Sequence, residues 1–171
     1  MAQLDIEAVK NALSCSFVLQ ESCVDTIDGY TGLKYFSHCL QRWSYTEPTF
    51  NYIWFGELTS DVVHQEKWYE NYETGASEKE VISAPMIISH CEISQHIKTG
   101  KWCICHIAVH SEYQQQGFSK KLIDDVVAFC IANNIKHIER TKPSKEGKNF
   151  LYDNVTNALN KAGITFSEYG A

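Results

Sequence analysis

The sequence predicts a mixed α/β (α+β) fold, a largely antiparallel central sheet flanked by helices, and three observations carry that expectation. Lys98-Thr99-Gly100 separates two strand-like runs, and glycine accepts the positive φ that a tight hairpin turn demands. At Gly117 the apolar period changes from that of a strand to that of a helix. Beyond it a strand-like IKHIE, a helical pattern and a last strand-like run follow in alternation. With 171 residues, 44% of them apolar, the chain suits one domain with a sizeable core.

Taken in order, QLDIEAVKNALS places Leu4, Ile6, Val9 and Leu13 near one face of a helix, with acidic residues at its positive end. Residues 16–46 are ambiguous: Gly29 and Gly32 bracket a turn, and GLKYFSHCLQRW reads as a second helix. FNYIWFGEL is an aromatic-rich strand, ended by Thr59, Ser60 and Asp61. Residues 66–80, with Trp68, Tyr69 and Tyr72, form either an irregular lid or a short helix and loop. VISAPMIISHCEIS is a strand pair or a strand bent at Pro85, and residues 102–109 return antiparallel to it. In SKKLIDDVVAFCIANN, Leu122, Val126, Phe129 and Cys130 share one side. Lys120, Lys121, Asp124 and Asp125 lie largely opposite, and Asn133-Asn134 ends the helix. A strand IKHIE, a basic loop over residues 140–148, a helix over 151–161 and a strand entered through Gly163 complete the chain.

Composition excludes some functions. A formal net charge of −6 gives no long-range attraction to nucleic acid. No run of 18 uncharged apolar residues or leader-like start points to a membrane or to export. Seven cysteines, an odd number, read as reduced thiols in a cytoplasmic protein. Cys103 and Cys105 lie near His106 and His110, but a metal site needs a second compact ligand pair, so no metal is assigned.

The segment ICHIAVHSEYQQQGFSKKL carries the functional signal. Amides opening a helix lack carbonyl partners and converge on a point where an anion can accept several hydrogen bonds. Gly117 leaves room for a ligand to approach, Ser119 is small, and Lys120 and Lys121 add positive charge. Alone, Gln114-x-x-Gly117 fits a plain glycine turn before an amphipathic helix better than a binding site.

With its flanks, this segment resembles the GNAT superfamily of acetyl-coenzyme A dependent N-acyltransferases. Ile107 and Val109 match the aliphatic-x-Val strand end, His110-Ser111-Glu112-Tyr113 the turn, and Gln114, Gly117 and Ser119 the Gln/Arg-x-x-Gly-x-Gly/Ala motif, with serine at the last position. The wording is similar to that of glucosamine-phosphate acetyltransferases, without carrying over their sugar substrate. The resemblance runs over residues 85–122 and on to 166; it implies a cofactor core over residues 81–166 and a divergent substrate or partner region over 1–80. It implies a splayed parallel strand pair whose gap takes the pantetheine arm of acetyl-CoA. On this resemblance Ile107, Ala108 and Val109 line the arm, Gln114, Gln115, Gln116, Gly117, Phe118, Ser119 and Lys120 grip the diphosphate, and Asn154 meets the cofactor end.

The acid–base groups are less regular. Where the family often places an acidic residue this chain has Cys103 and Cys105, and the family's tyrosine is replaced by Leu159. Glu92, acting through water, is the preferred carboxylate, and Tyr152 the preferred phenol, ahead of Tyr113. Strand alternation sets Cys103, Cys105, Ile107 and Val109 on one face and His106 and His110 on the other. Cys105 and His106 stay candidates, each with packing as its plainer role. Lys142, Lys145 and Lys148 face either an outer phosphate or only solvent. The acidic residues from Glu66 to Glu80 favour a cationic acceptor, an amine-containing small molecule or a lysine-bearing protein, if they face the cleft. Exposed strand edges allow a homodimer. The expected activity is N-acetyl transfer; the alternative is a coenzyme A-binding or protein-interaction module without turnover.

Overall fold

The computed structural model describes residues 4–20, 50–70, 74–141 and 150–168. Helix α1 (Ile6–Ala12) begins at Asp5, whose carboxylate accepts from the Glu7 and Ala8 amides at 3.1 Å each. This satisfies two of the donors that a helix start leaves open. Val9 and Leu13 are buried, as their spacing predicts. A strand the sequence left ambiguous follows, β1 (Phe17–Gln20), with Phe17 and Leu19 in one apolar cluster and Val18 against another. The helix and turn expected over residues 29–43 lie outside the described residues.

Strands β2 (Phe50–Glu70), β3 (Ser77–His96), β4 (Trp102–Val109), β5 (His137–Arg140) and β6 (Thr165–Glu168) join β1 in one sheet, in chain order. The first three pairings are antiparallel and the last two parallel. The hairpin between β3 and β4 turns at Gly100, φ +70°, as expected.

Two expectations about β2 and its successor are corrected. Thr59, Ser60 and Asp61 do not end β2: the register slips between Leu58↔Ile87 and Val62↔Pro85, and pairing resumes as far as Glu70↔Ser77. Thr59 Oγ1 mends the ladder there, donating to Asp61 O and accepting from Met86 N, both at 2.8 Å. Proline has no amide to give, so Pro85 sits well at the irregularity. Residues 66–80 accordingly hold neither a lid nor a helix among the described residues; residues 62–70 and 77–85 form a two-stranded ribbon. Cross-strand pairs override the helical spacing of its aromatics: Lys79 meets Glu66, and His64 Nδ1 lies 2.7 Å from Ser83 Oγ.

Helix α2 (Phe118–Ala132) and helix α3 (Phe150–Lys161) join α1 in one core cluster with Ile53, Phe55, Cys91, Ile93, Ile104 and Ile138. Phe129 stacks on Phe55 at 5.8 Å and meets Trp102 edge-on at 5.5 Å. Burial of each such ring contributes about 1.5–3 kcal/mol. Helix α2 ends at Asn133-Asn134, where Asn134 takes φ +53° and the Ile135 amide donates to Cys130 O at 2.8 Å. Leu122, Val126, Phe129 and Cys130 are buried as expected.

Asp125 is a correction: instead of facing solvent it is 3% exposed, and it accepts from Ser14 N at 2.7 Å and Ser14 Oγ at 3.0 Å. It clips α1 to α2. Asp125→Ala leaves the Ser14 amide without its acceptor and is expected to lower unfolding free energy by about 2 kcal/mol, read as a lower urea midpoint. Arg140 is the other correction. Expected to open a basic loop, it is 5% exposed at the end of β5, on the same side as Ile138. Its Nη1 donates to Tyr152 O at 3.0 Å and Thr156 Oγ1 at 2.7 Å on α3. Lys142, Lys145 and Lys148 lie outside the described residues.

Candidate functional site

Strands β4 and β5 pair only at Cys103↔Glu139 and Ile104↔Arg140, although β4 runs on to Val109. Thr141 makes the last link, its amide donating to Ile104 O at 3.2 Å and its hydroxyl to Cys105 O at 2.9 Å. Past that point β4 runs on to Val109 without a pairing to β5 among the described residues, which leaves a gap in the ladder. On the other side of β4, His110 N donates to Ile88 O at 2.7 Å, which sets the phase of the ladder. Backbone groups alternate in direction along a strand, so those of His106 and Ala108 turn to β3 and those of Ile107 and Val109 turn into the gap. Val109 O accepts from Gln114 Nε2 at 3.4 Å. Backbone polar groups lining such a gap need a partner, from solvent or from a ligand.

The gap leads to the mouth of α2. A single 3₁₀ turn (Ser111–Tyr113) is followed by Gln115 at φ +64° and Gly117 at φ +88°. The first bond of the α2 ladder runs from Lys121 N to Gly117 O at 3.1 Å, so the Phe118, Ser119 and Lys120 amides precede it. Gly117 itself offers no side-chain cap. Among the described residues, a Cβ added at Gly117 would meet no atom within 4 Å beyond its chain neighbours, which leaves the mouth open to an approaching anion. Gln114, Gln115, Gln116 and Lys120 are exposed, and Phe118 and Ser119 half-buried. The lysines are engaged in pairs, Lys120 with Asp124 and Lys121 with Glu57.

Strand β4 departs from simple alternation. Ile93 pairs with Ile104, but Glu92 pairs with His106, so Cys105 is the extra residue of a bulge. Trp102, Ile104, Ile107 and Val109 all pack on the helix-side core. Cys105 Sγ instead lies 3.1 Å from Ser94 Oγ, two residues along β3 from Glu92. This overturns the expected split: Cys105 and His106 share the face opposite the helices, and Ile107 and Val109 point away from them.

On that face Glu92 Oε2 accepts from Trp54 Nε1 at 3.1 Å. His90 Nε2 lies 2.8 Å from His106 Nδ1, with the rings stacked at 4.8 Å. Burial, helped by the neighbouring His106, pushes His90 down to about 4, so it is neutral at pH 7. Contact with Cys103 holds the Cys105 thiol below its ordinary range, aided by Ser94, and raises Cys103 in turn. His106 is exposed. The histidine partner at position 90 was missed because its pairing depends on the one-residue bulge, which no glycine or proline marks.

The remaining candidates lie on α3. The Tyr152 ring sits beneath the Arg140 guanidinium, 2.9 Å from its central carbon, while Asn154 is half-buried. Leu159, where the resemblance expects a phenol, is a core residue, 1% exposed. Tyr113 is edge-on to both His110 and Phe118. Among the described residues no group of three or more His, Cys, Asp or Glu side chains is placed to hold a metal. No described helix is long and apolar enough to cross a membrane.

The mixed sheet, with its short β4–β5 pairing and a glycine turn leading to a helix mouth, agrees with what a comparison with protein families finds. The family model described as an acetyltransferase (GNAT) domain matches residues 46–166, well over half of the 171, and the chain belongs to this family. A search of curated proteins gave no match.

Proposed function

We propose that the protein is an N-acetyltransferase that moves an acetyl group from acetyl-CoA directly to a primary amine, of a small molecule or of a lysine-bearing protein. The observation that carries this reading is two sets of backbone donors on one path, those of Ile107 and Val109 along the β4–β5 gap and those of Phe118, Ser119 and Lys120 at the α2 mouth. The residues present fit the cofactor: Ile107, Ala108 and Val109 take the pantetheine arm, and residues 114–120 take the diphosphate. Gly117, with its open Cβ direction, gives the closest approach. Asn154 is the residue this reading assigns to the cofactor's far end. Bound there, acetyl-CoA supplies an activated thioester.

In this reading residues 81–166 form the cofactor core of a single domain and residues 1–80 the region that selects the acceptor. Glu92, Cys105 and His106 on the open face, and Tyr152 on α3, are the groups available for proton traffic, an irregular set for the superfamily. The likeness to glucosamine-phosphate acetyltransferases rests on the strand-to-helix segment alone and assigns no sugar. A soluble cytoplasmic protein with no nucleic-acid or membrane partner agrees with the charge and hydropathy, and the exposed strand edges suit a homodimer.

Two contacts favour a second reading, a coenzyme A-binding module without turnover: Trp54 engages Glu92, and Arg140 covers Tyr152. Incubation with acetyl-CoA and a panel of primary amines and lysine peptides separates the two, with thiol release and acetylated product as readouts. The proposal expects transfer to at least one amine. Binding without product on any acceptor supports the second reading, and neither binding nor product defeats both.

A further inference from the structure

We infer that His106 is the base that removes the acceptor's proton and that His90, across the strand, is the positioning residue that holds it in the basic tautomer. The inference rests on the acetyl-transfer reading and adds the residues that ready the amine.

An acceptor meeting a thioester along β4 can come from one of two faces. The helix face is filled: Trp102, Ile104, Ile107 and Val109 pack there against the core that carries α1, α2 and α3. The opposite face carries His106, exposed and next in sequence to Ile107, whose backbone turns into the gap. The bulge at Cys105 is what puts the imidazole there; continued alternation would have placed Cys105 opposite Glu92. The base is thus mounted on the strand that lines the cofactor gap, on its accessible side.

A primary amine reaches the site as an ammonium, and its nitrogen must lose a proton before its lone pair can attack. His106 Nε2 takes that proton: the ammonium N–H bond breaks, its electron pair stays on the amine nitrogen, and a new N–H bond forms on the imidazole. For Nε2 to carry a free lone pair, the ring's own proton must sit on Nδ1. His90 Nε2, 2.8 Å from Nδ1, is the acceptor that keeps it there. Burial keeps His90 neutral, and with its own proton on Nδ1 its Nε2 is the accepting nitrogen. After the transfer His106 is an imidazolium that still donates Nδ1–H to His90, and it returns the added proton to solvent from its exposed edge. Glu92, paired with His106 across the strands, sets an acidic side chain on the face from which the amine approaches.

Two measurements test the pair. In the free protein at pH 7, long-range ¹H–¹⁵N NMR of the imidazoles is expected to show His106 protonated at Nδ1 and bare at Nε2. The reverse tautomer overturns the inference, whatever the activity. With an acceptor from the amine panel, His106→Ala is expected to lower kcat about a hundredfold with the calorimetric affinity for acetyl-CoA unchanged. His90→Phe, which keeps a ring in place, is expected to lower kcat about tenfold, and the double variant to be no slower than His106→Ala alone. Additive losses, or full turnover by His106→Ala, contradict the pair while leaving acetyl transfer standing. If the unaltered protein acetylates nothing, that reading fails, and the tautomer still decides whether the imidazoles are arranged as inferred.

Discussion

Gly56→Ala is expected to be the most damaging single-methyl change in the described sheet. A Cβ at that position would lie 1.9 Å from Ser89 O, 2.7 Å from Ser89 C and 2.8 Å from His90 Cα, all backbone atoms. No rotamer relieves such a contact; β2 and β3 have to move apart. Gly56 is also held from the other side, paired with Phe17 and accepting from Ser16 N at 3.0 Å. The methyl is therefore expected to cost about 3 kcal/mol or more, at the upper end for overpacking. Urea denaturation reads this as a midpoint shift, and thermal unfolding as a fall of well over 5 °C, on the order expected for a chain of this size. A loss below about 1 kcal/mol would mean that the strands are not this close. Because His90 lies opposite Gly56, the same variant is expected to disturb the stacked histidines.

Gly117→Val carries the second large effect, on binding rather than folding. Its Cβ meets no atom of the described residues beyond its chain neighbours, so the cost to the fold read from them is that of the φ of +88°, about 1–2 kcal/mol for a residue with a side chain. The branched side chain stands in the mouth of α2, where the Phe118, Ser119 and Lys120 amides face a diphosphate in the proposed complex. Affinity for acetyl-CoA is expected to fall at least about a hundredfold by calorimetry, the equivalent of roughly two lost charge-assisted hydrogen bonds. Gly163→Val is the matched control. Gly163 has φ +73° and equally open surroundings, but it closes α3 rather than α2. It is expected to cost similar stability and leave affinity unchanged. Equal losses of affinity in both variants would make the Gly117 effect one of stability alone.

Most of the frame was legible because local signals agreed with the tertiary outcome. The strand over residues 102–109, the Gly100 turn, the α2 stripe of Leu122, Val126, Phe129 and Cys130, and its Asn133-Asn134 ending all follow from period and turn chemistry. The ribbon over residues 62–70 and 77–85 was illegible because its charged, aromatic sequence has neither clean alternation nor a decisive helix period, and cross-strand pairs decided it. Asp125 and Arg140 misled because charge is normally a sign of exposure, whereas each is buried on a partner that only the assembled fold supplies. At the candidate site the backbone part was readable from Ile107, Val109 and Gly117. The side-chain part was not: one inserted residue at Cys105 reverses the faces of everything after it, and nothing local announces it.

Amide chemical-shift mapping reads the main-chain donors of the β4 edge and the α2 mouth residue by residue. Adding acetyl-CoA to ¹⁵N-labelled protein is expected to shift the Ile107, Val109, Phe118, Ser119 and Lys120 amides together, with those of β6 and the ribbon unmoved. Saturable binding that leaves these five amides in place, or no binding at millimolar acetyl-CoA, would contradict the account.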